Sequence, residues 1–192
     1  NKVYQTSTFT YRTIFSGWDV FRSQFPLQTI INPGLVNDEI NSLIQIAVHY
    51  YDSIGDTKMQ AKAHYYWGCV YRDMNQQAEA IREFFIAAPL TEKSKEKRQL
   101  GLIYNNIGYI YYDQDLFDKA IINYRKALIY YDKVKNTDQK KIKTCTNLGQ
   151  SFEEIKQLDS ACFCYNKALD KAIEINNEAY QSFSLQNLGV VS

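Results

Sequence analysis

The sequence predicts an all-α chain built as a stack of antiparallel helix hairpins. Three observations carry that prediction: an apolar-Gly pair that returns at a near-constant interval, a fixed set of Ala and aromatic positions after each pair, and apolar residues at helical spacing within each unit. The pairs are Trp67-Gly68, Ile107-Gly108, Leu148-Gly149 and Leu188-Gly189, so the period is 40, 41 and 40 residues. Three residues after the first three glycines stand Tyr71, Tyr111 and Phe152. Twelve after stand Ala80, Ala120 and Ala161, sixteen after Phe84, Tyr124 and Tyr165, and nineteen after Ala87, Ala127 and Ala168. Chance does not produce that register in three copies.

Each unit reads as two helices. Tyr104, Ile107, Gly108 and Tyr111 recur at i, i+3, i+4 and i+7, and Phe117, Ala120, Ile121, Tyr124 and Leu128 do the same, with Asp113-Gln114-Asp115 supplying turn and N-cap chemistry between them. A glycine in mid-helix costs ~0.5–1 kcal/mol against alanine, so its return needs a packing reason. The expected reason is a close crossing in which Gly108 faces Ala120, with Tyr104, Tyr111 and Tyr124 filling the space around it. The hairpins are placed near residues 57–95, 96–136 and 137–177, with a lone first helix over 178–192. Ala88-Pro89 is expected to end or kink the second helix of the first hairpin, because proline lacks the donor and clashes with the preceding turn.

Upstream, Ala47 lies 21 residues before Gly68, as Ala87 lies 21 before Gly108, so 37–54 reads as the second helix of a preceding unit that Gly55-Asp56 ends. Its first helix would fall near 8–24, where Thr6, Thr8, Thr10 and Thr13 among aromatics favour strand as much as helix. Pro26 and Asn32-Pro33-Gly34 mark breaks, and residues 1–34 are read as an atypical N-terminal cap ahead of an array over 35–192.

Composition narrows the function classes. Lys and Arg total 22 against 21 Asp and Glu in 192 residues, and the net charge of +1 gives no general attraction for nucleic acid or an anionic membrane. No apolar run approaches the ~18 residues that signal a transmembrane helix. The chain opens at Asn1 and stops at Ser192 inside an unfinished repeat, so both ends are read as trimmed. Four cysteines and two histidines supply a zinc set poorly. Cys162 and Cys164, two apart on a helix, cannot bridge, and buried free thiols are expected. No phosphate-binding glycine loop, His-Glu metal motif or activated nucleophile is visible, so neither catalytic residue nor cofactor is expected. His64, on an apolar stripe, is expected as a packed interior residue, and Glu153-Glu154 as solvated charges. Lys93, Lys95, Lys97 and Arg98, with Lys133, Lys135, Lys140 and Lys141, fall at turns between hairpins and line one edge, interspersed with acids.

The unit resembles the tetratricopeptide repeat, whose pattern is W-x-x-L-G-x-x-Y and then A-x-x-x-F. His64-Tyr65-Tyr66-Trp67-Gly68-Cys69-Val70-Tyr71 follows it except for the leading Trp, whose place is taken by Tyr104, Cys145 and Leu185 in later units. A period near 40 rather than 34 is similar to the long-helix members found among bacterial peptide-sensing regulators and cell-envelope proteins. The resemblance covers about residues 38–192 and implies a right-handed superhelical solenoid that binds a protein or peptide, or a neighbouring copy, on its concave face.

That resemblance places the residues beside each glycine in the groove. Two before it stand Tyr66, Asn106, Asn147 and Asn187; three before, Tyr65 and Asn105; one after, Tyr109 and Gln150; four after, Arg72, Tyr112 and Glu153. The Asn row is expected to hold the backbone of an extended peptide, since an amide donates and accepts at once. A ligand carboxylate is expected nearest Lys62 and Arg72, with Glu153 toward the other end. Two further readings are a sensory part of a larger signalling protein and a glycan-binding surface rich in Tyr. The resemblance implies a cell-envelope location, lipid-anchored or periplasmic, with the cytoplasm as alternative.

Overall fold

The computed structural model describes residues 4–5, 10–11 and 33–191, with side chains over 39–189. The elements are β1 (Tyr4–Gln5), β2 (Thr10–Tyr11), α1 (Pro33–Ser53), α2 (Thr57–Asp73), α3 (Gln77–Lys93), α4 (Lys97–Asp113), α5 (Phe117–Tyr131), α6 (Asp138–Glu154), α7 (Leu158–Glu174) and α8 (Glu178–Val191). The chain divides into two compact units, residues 1–45 and 46–192, and the division falls inside α1 rather than at residue 34. In the first unit, β1 and β2 pair antiparallel with Tyr4 opposite Tyr11 and Gln5 opposite Thr10. The rest of the helix anticipated over 8–24 lies outside the described residues. Pro33, read as a break, instead opens α1. At the first helical position a missing N–H forfeits nothing, since no carbonyl precedes it in the helix.

In the second unit successive helices run antiparallel, α2 with α3, α4 with α5, and α6 with α7, while the first helices α2, α4, α6 and α8 lie side by side. Each of the seven turns among the described residues holds one residue at positive φ: Gly55, Asn75, Lys95, Asp115, Asn136, Lys156 and Asn176. At Asn75 this left-handed residue lets its own amide and the following one close on carbonyls of the last helical turn, Asn75 N–H on Arg72 O at 2.9 Å and Gln76 N–H on Tyr71 O at 2.8 Å. Asp115 thus shapes its turn through the backbone. The N-cap of α5 is Leu116, which makes no side-chain cap bond. The added residue in the 41-residue unit sits between α5 and α6, where Thr137 Oγ1 donates to Tyr131 O at 2.9 Å.

The repeating glycine has a different partner from the one expected. A Cβ at Gly108 would lie 2.8 Å from the Tyr124 ring, at Gly68 2.8 Å from Phe84, and at Gly149 2.5 Å from Tyr165. The ring of the second helix lies against the bare backbone of the first, so it is the ring, not Ala120, that needs the glycine. Ala80, Ala120 and Ala161 are fully buried elsewhere in the seam. α3 also runs unbroken through Pro89 to Lys93, two register positions further than α5. The carbonyl that Pro89 leaves without its donor belongs to Phe85, whose side chain is exposed, and water can satisfy it on that outer side.

His64 is buried as expected, but it is also paired: its Nδ1 lies 2.7 Å from Oε2 of Glu83, an acid only 3% exposed. All four cysteines are free thiols, Cys145 and Cys164 buried, Cys69 and Cys162 half-buried. No helix among the described residues is long and apolar enough to cross a membrane.

Candidate functional site: the groove of the first helices

The site residues anticipated from sequence all lie on α2, α4, α6 and α8, and the structure sorts them into two kinds. Some face open space. Tyr66 is 59% exposed and Tyr109 45%, while Lys62, Tyr112, Asn147, Gln150 and Asn187 are half-buried. Others are spent inside the protein. Asn106, 7% exposed, donates from Nδ2 to its own helix at Leu102 O (3.0 Å) and accepts at Oδ1 from Arg72 Nη1. Its amide also reaches Tyr65 Oη at 3.5 Å. Asn105 Oδ1 accepts from Thr144 Oγ1 at 2.8 Å, and Asn187 Nδ2 donates to Phe183 O at 3.0 Å. Asn105, Asn106 and Asn187 are therefore ties between helices and to the backbone.

The cations are placed differently as well. Lys62 and Arg72 are ten residues apart on one helix, about 15 Å along its axis at 1.5 Å per residue, so one carboxylate cannot be held by both. Arg72 Nε and Nη2 donate to Asp73 Oδ1 at 3.0 and 2.7 Å. Beside Tyr65, whose phenol burial holds above its usual range, the Cys69 thiol is also pushed up by burial. Glu153 accepts from Tyr165 Oη at 2.9 Å and Glu154 from Tyr112 Oη at 3.4 Å.

A cavity of about 570 Å³ opens between α2 and α4, with Arg72, Asn105, Asn106 and Tyr109 on its wall. Four anticipated residues converge there, together with Asp73, Gln77 and Asp113, which the sequence reading left out. The signal was present, because Asp73, Asp113 and Glu154 stand five after Gly68, Gly108 and Gly149. The basic edge is ion-paired in part: Lys141 Nζ lies 3.0 Å from Asp132 Oδ1, and Lys58 pairs with Glu96.

The stacked hairpins and their polar groove define a helical-repeat protein of the solenoid class. A family model described as a tetratricopeptide repeat matches residues 99–174. Over those residues the chain is made of tetratricopeptide repeats, and the solved neighbours share the same helical-repeat fold. A second family model, the glycosyl hydrolase family 92 catalytic domain, matches residues 1–121. From residue 57 to 121 that span is α2, α3, α4 and the first turn of α5, in the same register as the repeats that follow. The match therefore marks no change of fold there.

Among curated proteins, the transcriptional activator NprA of Geobacillus stearothermophilus is 30% identical over 86 residues, which are 45% of this chain and 21% of that protein. Aspartyl phosphate phosphatase F from Bacillus subtilis superposes with a TM-score of 0.73 at 16% identity, covering 90% of this chain and 44% of that one. The Rap conjugation gene regulator of plasmid pLS20, solved in complex with the Phr* peptide, gives 0.60 at 20% identity, covering 71% and 38%. The chain thus spans about a fifth of NprA and less than half of either solved protein.

Proposed function

We propose that this chain is a non-catalytic scaffold that binds an extended segment of a partner protein along the groove of α2, α4 and α6. The observation that carries the reading is the cavity between α2 and α4, where a half-exposed Tyr109 ring stands among polar groups already held in place by Arg72, Asn105 and Asn106. A wall whose side chains are ordered before binding loses little entropy when the ligand arrives. The solved Rap regulator with its Phr* peptide supports peptide binding as a use of this fold. A second reading, that the chain is one module of a larger regulatory protein, is supported by the share of NprA and of the Rap chain that it spans. The two readings are compatible, since a groove can be the sensing part of a longer chain.

The non-catalytic reading is supported by the repeat register, which runs through residues 57–121 of the glycosyl hydrolase match and continues into the tetratricopeptide repeats of 99–174. Measurable hydrolysis of an aryl-glycoside panel by the purified chain, lost on replacing an acid in 57–121, would overturn it.

Replacing Tyr109 and Gln150 with Ala tests the groove. Affinity for an isolated partner should fall at least ~10-fold, about 1.4 kcal/mol, with the thermal midpoint nearly unchanged because both side chains face outward. Binding that survives this change and disappears when Lys93, Lys95 and Lys97 become Gln places the partner on the edge of the stack instead.

A further inference from the structure

The groove reading just given leaves the chemistry of the ligand open, and the charge distribution along the groove addresses it. At the α2 end the guanidinium of Arg72 is compensated within the protein by Asp73 and Asn106. Further along, Asp113, Glu153 and Glu154 make no ion pair among the described residues. Their hydrogen bonds come from neutral donors: Gln77 Nε2 at 3.3 Å to Asp113, Tyr165 Oη at 2.9 Å to Glu153, and Tyr112 Oη at 3.4 Å to Glu154. The C-terminal ends of the parallel helices α4 and α6 lie at the same level and add partial negative charge. The Tyr112 phenol registers that potential, being held above its ordinary value first by burial and then by Glu154, Glu153 and Asp115.

The aromatic surface sits where a cation would use it. Tyr109 turns its ring to the cavity that Asp113 also lines, and a guanidinium or ammonium between a ring face and a carboxylate gains from both. Spacing favours an extended chain. Packed helices stand ~8–10 Å apart, and three residues of a polyproline II chain advance about 9 Å and complete one turn, so side chains three apart return to one face and meet equivalent positions on neighbouring first helices.

We infer that the groove selects a basic peptide, an extended segment with Arg or Lys at every third position, one cation seated between Asp113 and Tyr109 and the next at Glu153 and Glu154. This reverses the polarity expected from the sequence, in which an acid sought Lys62 and Arg72.

The test uses three fluorescent twelve-residue peptides, acetylated and amidated, identical except that every third residue is Arg, Gln or Glu. Each is titrated by anisotropy against the wild-type chain, Asp113→Asn/Glu154→Gln, Tyr109→Ala, and Asp118→Asn/Asp159→Asn, which removes the same charge from the exposed starts of α5 and α7. The expected result is an Arg peptide bound at least tenfold more tightly by wild type than by the groove double variant, unchanged in the α5/α7 variant, and weakened by Tyr109→Ala. Equal weakening in both double variants would show undirected charge attraction and overturn the proposal. A Gln or Glu peptide bound as tightly as the Arg peptide, and still sensitive to Tyr109→Ala, would overturn the polarity and leave the groove standing. Failure of all three peptides to bind would overturn the basic-ligand proposal. Arg-peptide binding indifferent to both Tyr109→Ala and the groove double variant would overturn the groove reading itself.

Discussion

The hairpins α4–α5 and α6–α7 have the same length of first helix and the same ring-on-glycine contact, yet they fill the next layer of their seams in opposite ways. Seven residues before the repeat glycine, α4 has Gly101 and α6 has Ile142; four after the recurring alanine, Ala127 or Ala168, α5 has Tyr131 and α7 has Ala172. Tyr131 and Ala172 are buried, and a Cβ on Gly101 would lie 2.4 Å from the Tyr131 ring. In α4–α5 the volume comes from the second helix, and in α6–α7, where Ile142 and Ala172 share one cluster, it comes from the first. The hairpin α2–α3 is a third solution, with Ala61 and Thr91. Between α4–α5 and α6–α7 what is held constant is the space filled, because a close-packed seam penalises both a void and an overlap. Residue identity at either position alone is free to vary.

The pair offers the sharpest way to break that view. Tyr131→Ala should cost about 3–5 kcal/mol, the range for truncating a buried aromatic. Gly101→Ile should also destabilise, since its side chain enters the ring. Combined, they rebuild the Ile142/Ala172 arrangement, and the double variant should recover more than ~2 kcal/mol of the summed loss in urea melts. Additive losses would mean that the two seams are not equivalent.

Alkaline pH should separate the hairpins by a smaller amount. Cys145 and Cys164 occupy in α6–α7 the register positions of Tyr104 and Asn123 in α4–α5. Burial pushes the Cys145 thiol up to about 11 and Cys164 up to about 12, from an ordinary 9.0. Their folded pKa values are raised and the protonated form is neutral, so their contribution is fully present below pH 9 and is lost as pH climbs toward 11 and 12. The slope is at most about 1.4 kcal/mol per pH unit per thiol. Between pH 9 and 10 amide exchange should quicken in α6–α7 before α4–α5, and Cys145→Ala/Cys164→Ala should flatten the decline relative to its own value at pH 8. An unchanged slope in that variant would remove the thiols as the cause.

The smallest effect has the opposite sign. Lys156, in the turn of α6–α7, holds φ at 60°, where α4–α5 uses Asp115 at 58°. A β-carbon in that conformation costs ~1–2 kcal/mol, more than glycine's entropic penalty of ~0.5–1 kcal/mol, so Lys156→Gly should stabilise by about 0.5–1 kcal/mol. Asp115→Gly should give less, because Asp tolerates the left-handed region better. A loss at Lys156 would point to contacts of its side chain that outweigh the backbone.

Much of this was legible in the chain itself. A period read from Gly68, Gly108, Gly149 and Gly189 places every first helix, and the residues that follow place the second, because identical local requirements recur at each crossing. The same register exposed Arg72, Asn105, Asn106 and Tyr109, four residues that the cavity brings together. It did not show what Asn106 does there. Whether an amide faces solvent or is tied to Arg72 and Leu102 depends on a neighbour 34 residues away and on the depth of burial, and neither follows from position in a repeat.

The sequence by itself determined the stack of helix hairpins and the line of positions along its groove, since periodicity encodes which face of each helix is covered. The tertiary structure decided which partner each position meets. It set the ring, not the alanine, against the glycine, paired His64 with Glu83, tied Arg72 to Asp73 and Asn106, and left Asp113, Glu153 and Glu154 without an ion pair among the described residues. The reason is range: helical propensity and patterning act within a few residues, whereas the ring-on-glycine, His64–Glu83 and Arg72–Asn106 contacts join residues 16, 19 and 34 apart on different helices.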